Sequence, residues 1–206
     1  MFERGGYYMG NSNLTTKSRV FEAFRALAIE KKLMKNISVV DICEKAGISR
    51  QTFYNHFVDK FEIGQWFFDS IATQYLFEAG RSLSYHDANL LNNRAFAANR
   101  AFVEAMFQDN GYQSFLSYAR RTRRATLEET ITEYKGVALT EDIKLLLDYH
   151  VEAETYLVTR WICEYPDKSP DDIADIQDRA IPAALFEIVG NPTPGCHGPS
   201  GLFLIV

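Results

Sequence analysis

Cysteine is scarce in this chain. Its three residues, Cys43, Cys163 and Cys196, are odd in number and widely spaced. That argues against a disulfide framework and fits a reducing compartment. No apolar run approaches the ~20 residues that a membrane-spanning helix needs, so no membrane partner is expected. The opening MFERGGYYMGNSN has no apolar centre and is not expected to act as a signal peptide. Metal-ligating spacing is missing too. Tyr149-His150 with Glu152 has no second histidine four residues on, and Cys196-His197 lacks further ligands. No convergent nucleophile or acid–base set stands out, so no catalytic residue, metal or cofactor is expected, and the chain is not expected to be an enzyme. One local absence points the other way. No carboxylate lies between Arg50 and Val58, which suits a surface that approaches a polyanion.

What is present is an ordinary soluble composition: 206 residues, 47% hydrophobic and 24% charged, enough for one sizeable core or two modest ones. The net charge of −5 is unevenly shared. Residues 1–61 hold ten Lys and Arg against six Asp and Glu, a balance of +4, and the remainder balances at −9. A cationic head on an anionic body is expected where nucleic-acid binding and effector binding are separated along the chain.

Within the head, VVDICEKAGISRQTFYNHFVDK (39–60) predicts two short helices joined by a tight turn. Val39, Val40, Ile42, Cys43 and Ala46 give the first helix an apolar side. Gly47 stands where its end requires positive φ. Ser49 has the chemistry of an N-cap, and Ile48 and Phe53 have the spacing of a hydrophobic staple, so the second helix begins at Arg50. Phe53 and Phe57 point inward, while Arg50, Gln51 and Asn55 fall on the opposite side, flanked by Thr52, Tyr54 and His56. Such donor-rich side chains read base edges and grip phosphates.

These residues carry a resemblance. Ile42-Cys43-Glu44-Lys45-Ala46-Gly47-Ile48-Ser49, followed by Thr52-Phe53-Tyr54-Asn55-His56-Phe57 and Lys60, resembles the TetR family of bacterial transcriptional regulators over about residues 16–63. The resemblance implies that Arg50, Gln51 and Asn55 face bases. It implies that Thr52, Tyr54, His56 and Lys60 hold phosphates. Ser38, just before the unit, is a candidate cap and phosphate ligand, and Ser49 is a candidate DNA contact beside its capping role. Cys43 replaces the usual Ala, and Gly64 stands where a large apolar residue is common. Farther on, Tyr156-Leu157-Val158-Thr159-Arg160-Trp161 and Ser169-Pro170-Asp171-Asp172-Ile173-Ala174 resemble the C-terminal portion of a TetR subgroup that includes the activator of a dihydroxyacetone kinase operon.

The fold class expected is all-α: an N-terminal three-helix, helix-turn-helix DNA-binding domain and a C-terminal helical bundle for ligand binding and dimerisation. The expected division is a loose arm (1–13), the DNA-binding head (14–61), the effector and dimerisation body (62–189) and a flexible Gly/Pro-rich tail (190–206). Helices are predicted over about 15–34, 60–81, 88–108, 113–134 and 140–164, with a last one from Pro170 interrupted at Pro182. The tail ends Leu202-Phe203-Leu204-Ile205-Val206, a run too short to span a membrane. The run Arg120-Arg121-Thr122-Arg123-Arg124 is expected to form a solvated face paired with Glu128 and Glu129. Phe107, Tyr118, Arg121, Tyr149 and Tyr156 are candidate effector contacts. The resulting expectation is a cytoplasmic, nucleoid-associated homodimer on a palindromic double-stranded operator, a repressor released by a small-molecule effector. The alternative is a regulator whose body answers to a protein partner.

Overall fold

The computed structural model describes residues 11–31, 34–108 and 115–197, with side chains from residue 16 onward. Ten α-helices account for most of them: α1 Asn11–Lys31, α2 Val39–Ala46, α3 Arg50–Tyr54, α4 Lys60–Ala72, α5 Tyr85–Ala98, α6 Arg100–Phe107, α7 Phe115–Glu129, α8 Glu141–Glu164, α9 Pro170–Ala180 and α10 Ala183–Val189. Among the described residues there is no strand, only an isolated bridge between Ala79 and Leu83. No described helix is long and apolar enough to cross a membrane.

Local chemistry explains most boundaries. Thr140 caps α8 and Ser169 caps α9, the latter in a reciprocal box with Asp172 and with Pro170 in the first turn. Gly136 (φ 63°) turns the chain after a π-helical stretch at Thr130–Tyr134. Pro182 separates α9 from α10, as its missing N–H requires.

Three predicted helices differ. Residues 11–13 belong to α1 and not to an arm, so Thr15 and Thr16 lie inside the helix; residues 1–10 lie outside the described residues. The helix predicted over 60–81 stops at Ala72. Side-chain donors of Ser70, Thr73 and Gln74 satisfy the carbonyls of Phe67, Asp69 and Ser70, ending the helix without a glycine. The helix predicted over 88–108 starts earlier, with Ser84 as its cap, and breaks at Asn99, whose amide N–H bonds back to the Phe96 carbonyl. Its predicted end near 108 agrees with the end of α6 at Phe107.

The interior is shared between head and body. Phe102 of α6 sits against Phe21 and Phe24 of α1 and Phe67 of α4, with ring centroids 5.4, 5.8 and 5.2 Å away. One apolar cluster therefore runs from Val20 and Phe53 through Phe102 to Phe115, Trp161 and Ile173. A smaller one joins Tyr85, Leu127, Ile131, Val151 and Val189. Gly64 of α4 belongs to this close approach. A Cβ there would stand 3.0 Å from Met106 Sδ, so a large residue has no room. Cys43 is buried under α3 and fits as a small apolar residue.

The start of the tail is ordered, against expectation. Tyr85 N–H donates to Gly190 O (3.0 Å), Thr193 N–H to Arg81 O (2.8 Å) and Lys135 Nζ to Asn191 O (2.8 Å). The buried loop at Gly80–Arg81 needs those backbone partners, and the tail supplies them. Leu202–Val206 lie outside the described residues.

Candidate nucleic-acid interface and interior cavity

The helix-turn-helix is assembled by caps. Ser38 Oγ accepts from Asp41 N–H (3.1 Å) while the Asp41 carboxylate accepts from Ser38 N–H (2.8 Å), starting α2. The Ser38 backbone bond, the Lys31 ammonium and the Ser38 hydroxyl hold the Asp41 carboxyl down at about 2. Lys31 (2.9 Å to Asp41) thereby ties α1 to α2. At the other end, Gly47 is left-handed (φ 63°), and Arg19 Nη2 donates to the carbonyls of Ala46 (2.6 Å) and Gly47 (3.2 Å). Ser49 Oγ accepts from Thr52 N–H (3.0 Å) and meets the Thr52 hydroxyl at 2.9 Å, starting α3.

Two rings pin α3 from beneath. Phe53 and Phe57 are buried and lie 5.9 Å apart. Arg50, Gln51 and Asn55 are exposed, Tyr54 is half exposed with its ring standing edge-on to Phe53, and Thr52 and His56 are half-buried. The helix is five residues long, but the backbone bonds from His56 and Phe57 to Phe53 O carry its turn onward, so Asn55 stays in register. The predicted base-facing trio is thus exposed, on a stretch (50–58) that holds no carboxylate. Lys60 is placed differently. Its ammonium donates to the carbonyls of Met34 and Ile37, 2.7 Å each, and so locks the turn that precedes α2. Arg19 was missed in the sequence, where its one signal is a basic residue on α1 within reach of a helix end.

A cavity of about 50 Å³ lies between α4, α5, α6, α7, α8 and α9. Asn89, Asn92, Arg123, Glu154 and Gln177 supply its polar wall, and Phe68, Phe96, Phe107 and Phe115 line the rest with other apolar side chains. Arg123 pairs bidentately with Glu154 (3.0 and 3.2 Å) and donates to Leu76 O (3.0 Å). Burial pushes the Glu154 carboxyl up, but Arg123, His150 and Tyr85 outweigh it and hold it below the carboxylate range. Tyr85 OH donates to Glu154 (3.2 Å) and lies 3.2 Å from His150 Nε2.

Of the five predicted effector contacts, only Phe107 lines this cavity. Tyr118 instead donates to the Asp69 carboxylate (2.7 and 2.8 Å), joining α7 to α4. Arg121 is exposed and opens on an outer groove with Arg120 and Arg124. Tyr149 and Tyr156 are 65% and 63% exposed, on the side of α8 turned away from the interior. Helical spacing alone did not separate inward from outward aromatics on α8. The arginine run is also redistributed. Arg123 is buried, Arg120 pairs with Glu152, and Arg124 pairs with Glu128 and Asp148, while Glu129 pairs with Arg81. The missed cavity residues left one trace: Asn89, Asn92 and Asn93 crowd a helix interior, where asparagine is a poor former. Among the described residues no group of three or more His, Cys, Asp or Glu is placed to hold a metal ion.

No family model matches the chain. Over 104 residues it is 28% identical to the HTH-type dhaKLM operon transcriptional activator DhaS of Lactococcus lactis subsp. lactis (strain IL1403), a match covering 50% of this chain and about half (55%) of that protein. The solved structure of the dihydroxyacetone kinase operon activator DhaS superposes with a TM-score of 0.60 at 20% identity, covering 86% of this chain and 99% of that one. A TetR transcriptional regulator from Streptococcus agalactiae 2603V superposes with a TM-score of 0.58 at 19% identity, covering 82% and 95%. In its all-helical architecture, from the helix-turn-helix to the C-terminal bundle, this chain has the fold of the TetR transcriptional regulators.

Proposed function

We propose that this protein is a DNA-binding transcriptional regulator that acts as a homodimer on a roughly palindromic operator, with a head (14–61) that reads DNA and a body (62–189) that senses an effector. The observation that carries the reading is α3: Arg50, Gln51 and Asn55 stand exposed in a stretch without a carboxylate, on a helix fixed by the Ser49 cap and by buried Phe53 and Phe57. One such unit contacts too few base pairs for tight specificity, so two copies are needed, with half-sites about 34 Å apart or more. Phosphate contacts fall to Thr52, Tyr54 and His56, with the capped α2 start at Ser38 beside them. The chemistry is recognition alone, without turnover.

Coupling between body and head runs through α6. Phe107 faces the cavity and Phe102, five residues earlier, is packed against Phe21 and Phe24 of the head. An effector that prefers one setting of α6 changes operator affinity by its differential affinity for the two settings. Release of a repressor is the sign of regulation proposed.

The test is selection of bound fragments from the source genome, followed by variants on the selected site. Arg50→Ala should relax preference at particular base pairs, costing about 1–3 kcal/mol there, whereas Tyr54→Ala should weaken all sequences by a similar factor. Equal losses on operator and random DNA for Arg50→Ala would contradict its base-reading role.

A further inference from the structure

Each end of α2 is held by a cation from another helix. At its start, Lys60 Nζ from the first turn of α4 donates to the carbonyls of Met34 and Ile37, 2.7 Å each, with the Phe61 ring 5.2 Å away. At its end, Arg19 Nη2 of α1 donates to the carbonyls of Ala46 and Gly47. Bonds with an ionised donor are roughly twice as strong as neutral ones. Those of Arg19 also satisfy acceptors that a helix leaves unmet at its C-terminus, where its dipole is negative. A helix of eight residues is marginal by itself, so tertiary anchors decide where it lies. After the Gly47 turn only Ile48 and Ser49 separate it from α3, so the setting of α2 governs where Arg50, Gln51 and Asn55 stand. An ammonium has three N–H donors, and Lys60 spends two of them on these carbonyls. A phosphate that drew it away would break both bonds and release the turn before α2.

We propose that Lys60 and Arg19 are positioning residues for DNA reading: they clamp the two ends of α2, so setting α3 against the duplex, and hold no phosphate themselves. For Lys60 this takes the place of the phosphate contact that the family resemblance implies. The role rests on the regulator reading above.

The test compares Lys60→Met and Arg19→Met with the unaltered full chain on selected operator and on random-sequence duplex, over a salt series and at a temperature where each protein is folded. Each variant should bind operator weaker by about tenfold or more, as expected when base contacts lose their register. Its affinity for random duplex should change by less than about threefold, and the salt slope should stay as it was. Removing a phosphate ligand behaves otherwise, weakening both duplexes alike and lowering the slope by about 0.9 per protomer. That result overturns the role, and so does a folded variant that binds both duplexes as the unaltered protein does. Hydrogen exchange without DNA checks the clamp itself. Lys60→Met should speed exchange at the Ile37 and Ile42 amides, and Arg19→Met at those of Gly47 and Ile48, with the α8 amides unchanged. Equal rates throughout defeat it. Should either variant fail to fold, the Lys60 ammonium and Arg19 guanidinium resonances of the unaltered, ¹⁵N-labelled protein decide. Both should keep their shifts when operator is added, and movement of either marks a phosphate contact. If the unaltered protein binds neither duplex, the regulator reading fails and takes this role with it; if it binds DNA and only the variants disagree, this role fails alone.

Discussion

Arg123 is almost fully buried, and an unpaired guanidinium at such depth is untenable. Glu154 is therefore less an addition to stability than a condition of the fold. Replacing one partner alone, as in Glu154→Gln, should cost about 3–5 kcal/mol in urea denaturation, while Arg123→Met with Glu154→Leu should cost clearly less than the two single losses added together. His150, facing Tyr85, Glu154 and Arg123, gives a second test at this scale. Burial, opposed by Glu154 and reinforced by Arg123, sets its pKa below the ordinary 6.5. As pH falls, the unfolded chain takes up this proton first, so the contribution is complete above about 6.5 and declines below it. Denaturation series at pH 7.5, 6.5 and 5.5 should show stability falling across the lower interval, and His150→Gln should flatten that fall.

At the scale of elements, the sequence was legible where an end is set by its own neighbours. Ser49 caps and Gly47 takes positive φ as their positions predict, and the helices expected from 140 and from Pro170 begin where Thr140 and Ser169 cap them. The boundaries after Ala72 and at Asn99 were opaque, because tertiary packing decides whether those periodic stretches remain straight. The outward placement of Arg50, Gln51 and Asn55 was legible for the first reason, since a cap and two phenylalanines orient α3 locally. The cavity was not, because its wall gathers side chains from distant helices. Glycine shows the same contrast. Gly47→Ala meets only the end of Arg19 at 3.5 Å and should cost about 1–2 kcal/mol for its φ. Gly80→Ala adds to a similar strain (φ +75°) a contact of 2.9 Å with the Val189 carbonyl, so it should cost about 2–4 kcal/mol. Thermal melts of the two variants should rank them in that order.

For the whole molecule, α8 leaves Leu145, Tyr149 and Tyr156 exposed at 68%, 65% and 63% along one stripe, with Phe186 of α10 also exposed. Apolar patches of this kind mark interfaces, and the proposed homodimer uses this one. Leu145→Glu with Tyr149→Glu should give a helical monomer by light scattering and lower operator affinity at least a hundredfold, because a lone head retains only one half-site. A monomeric unaltered protein at micromolar concentration would refute that assembly.

Phe102 has a thermal corollary. Its ring is structural material for the head and the body alike, so neither part has a complete interior of its own. Heating should therefore produce a single calorimetric endotherm, with calorimetric and van't Hoff enthalpies in agreement for the assembled protein. Operator DNA, though it touches only the head, should carry the melting of the most distant helices upward with it.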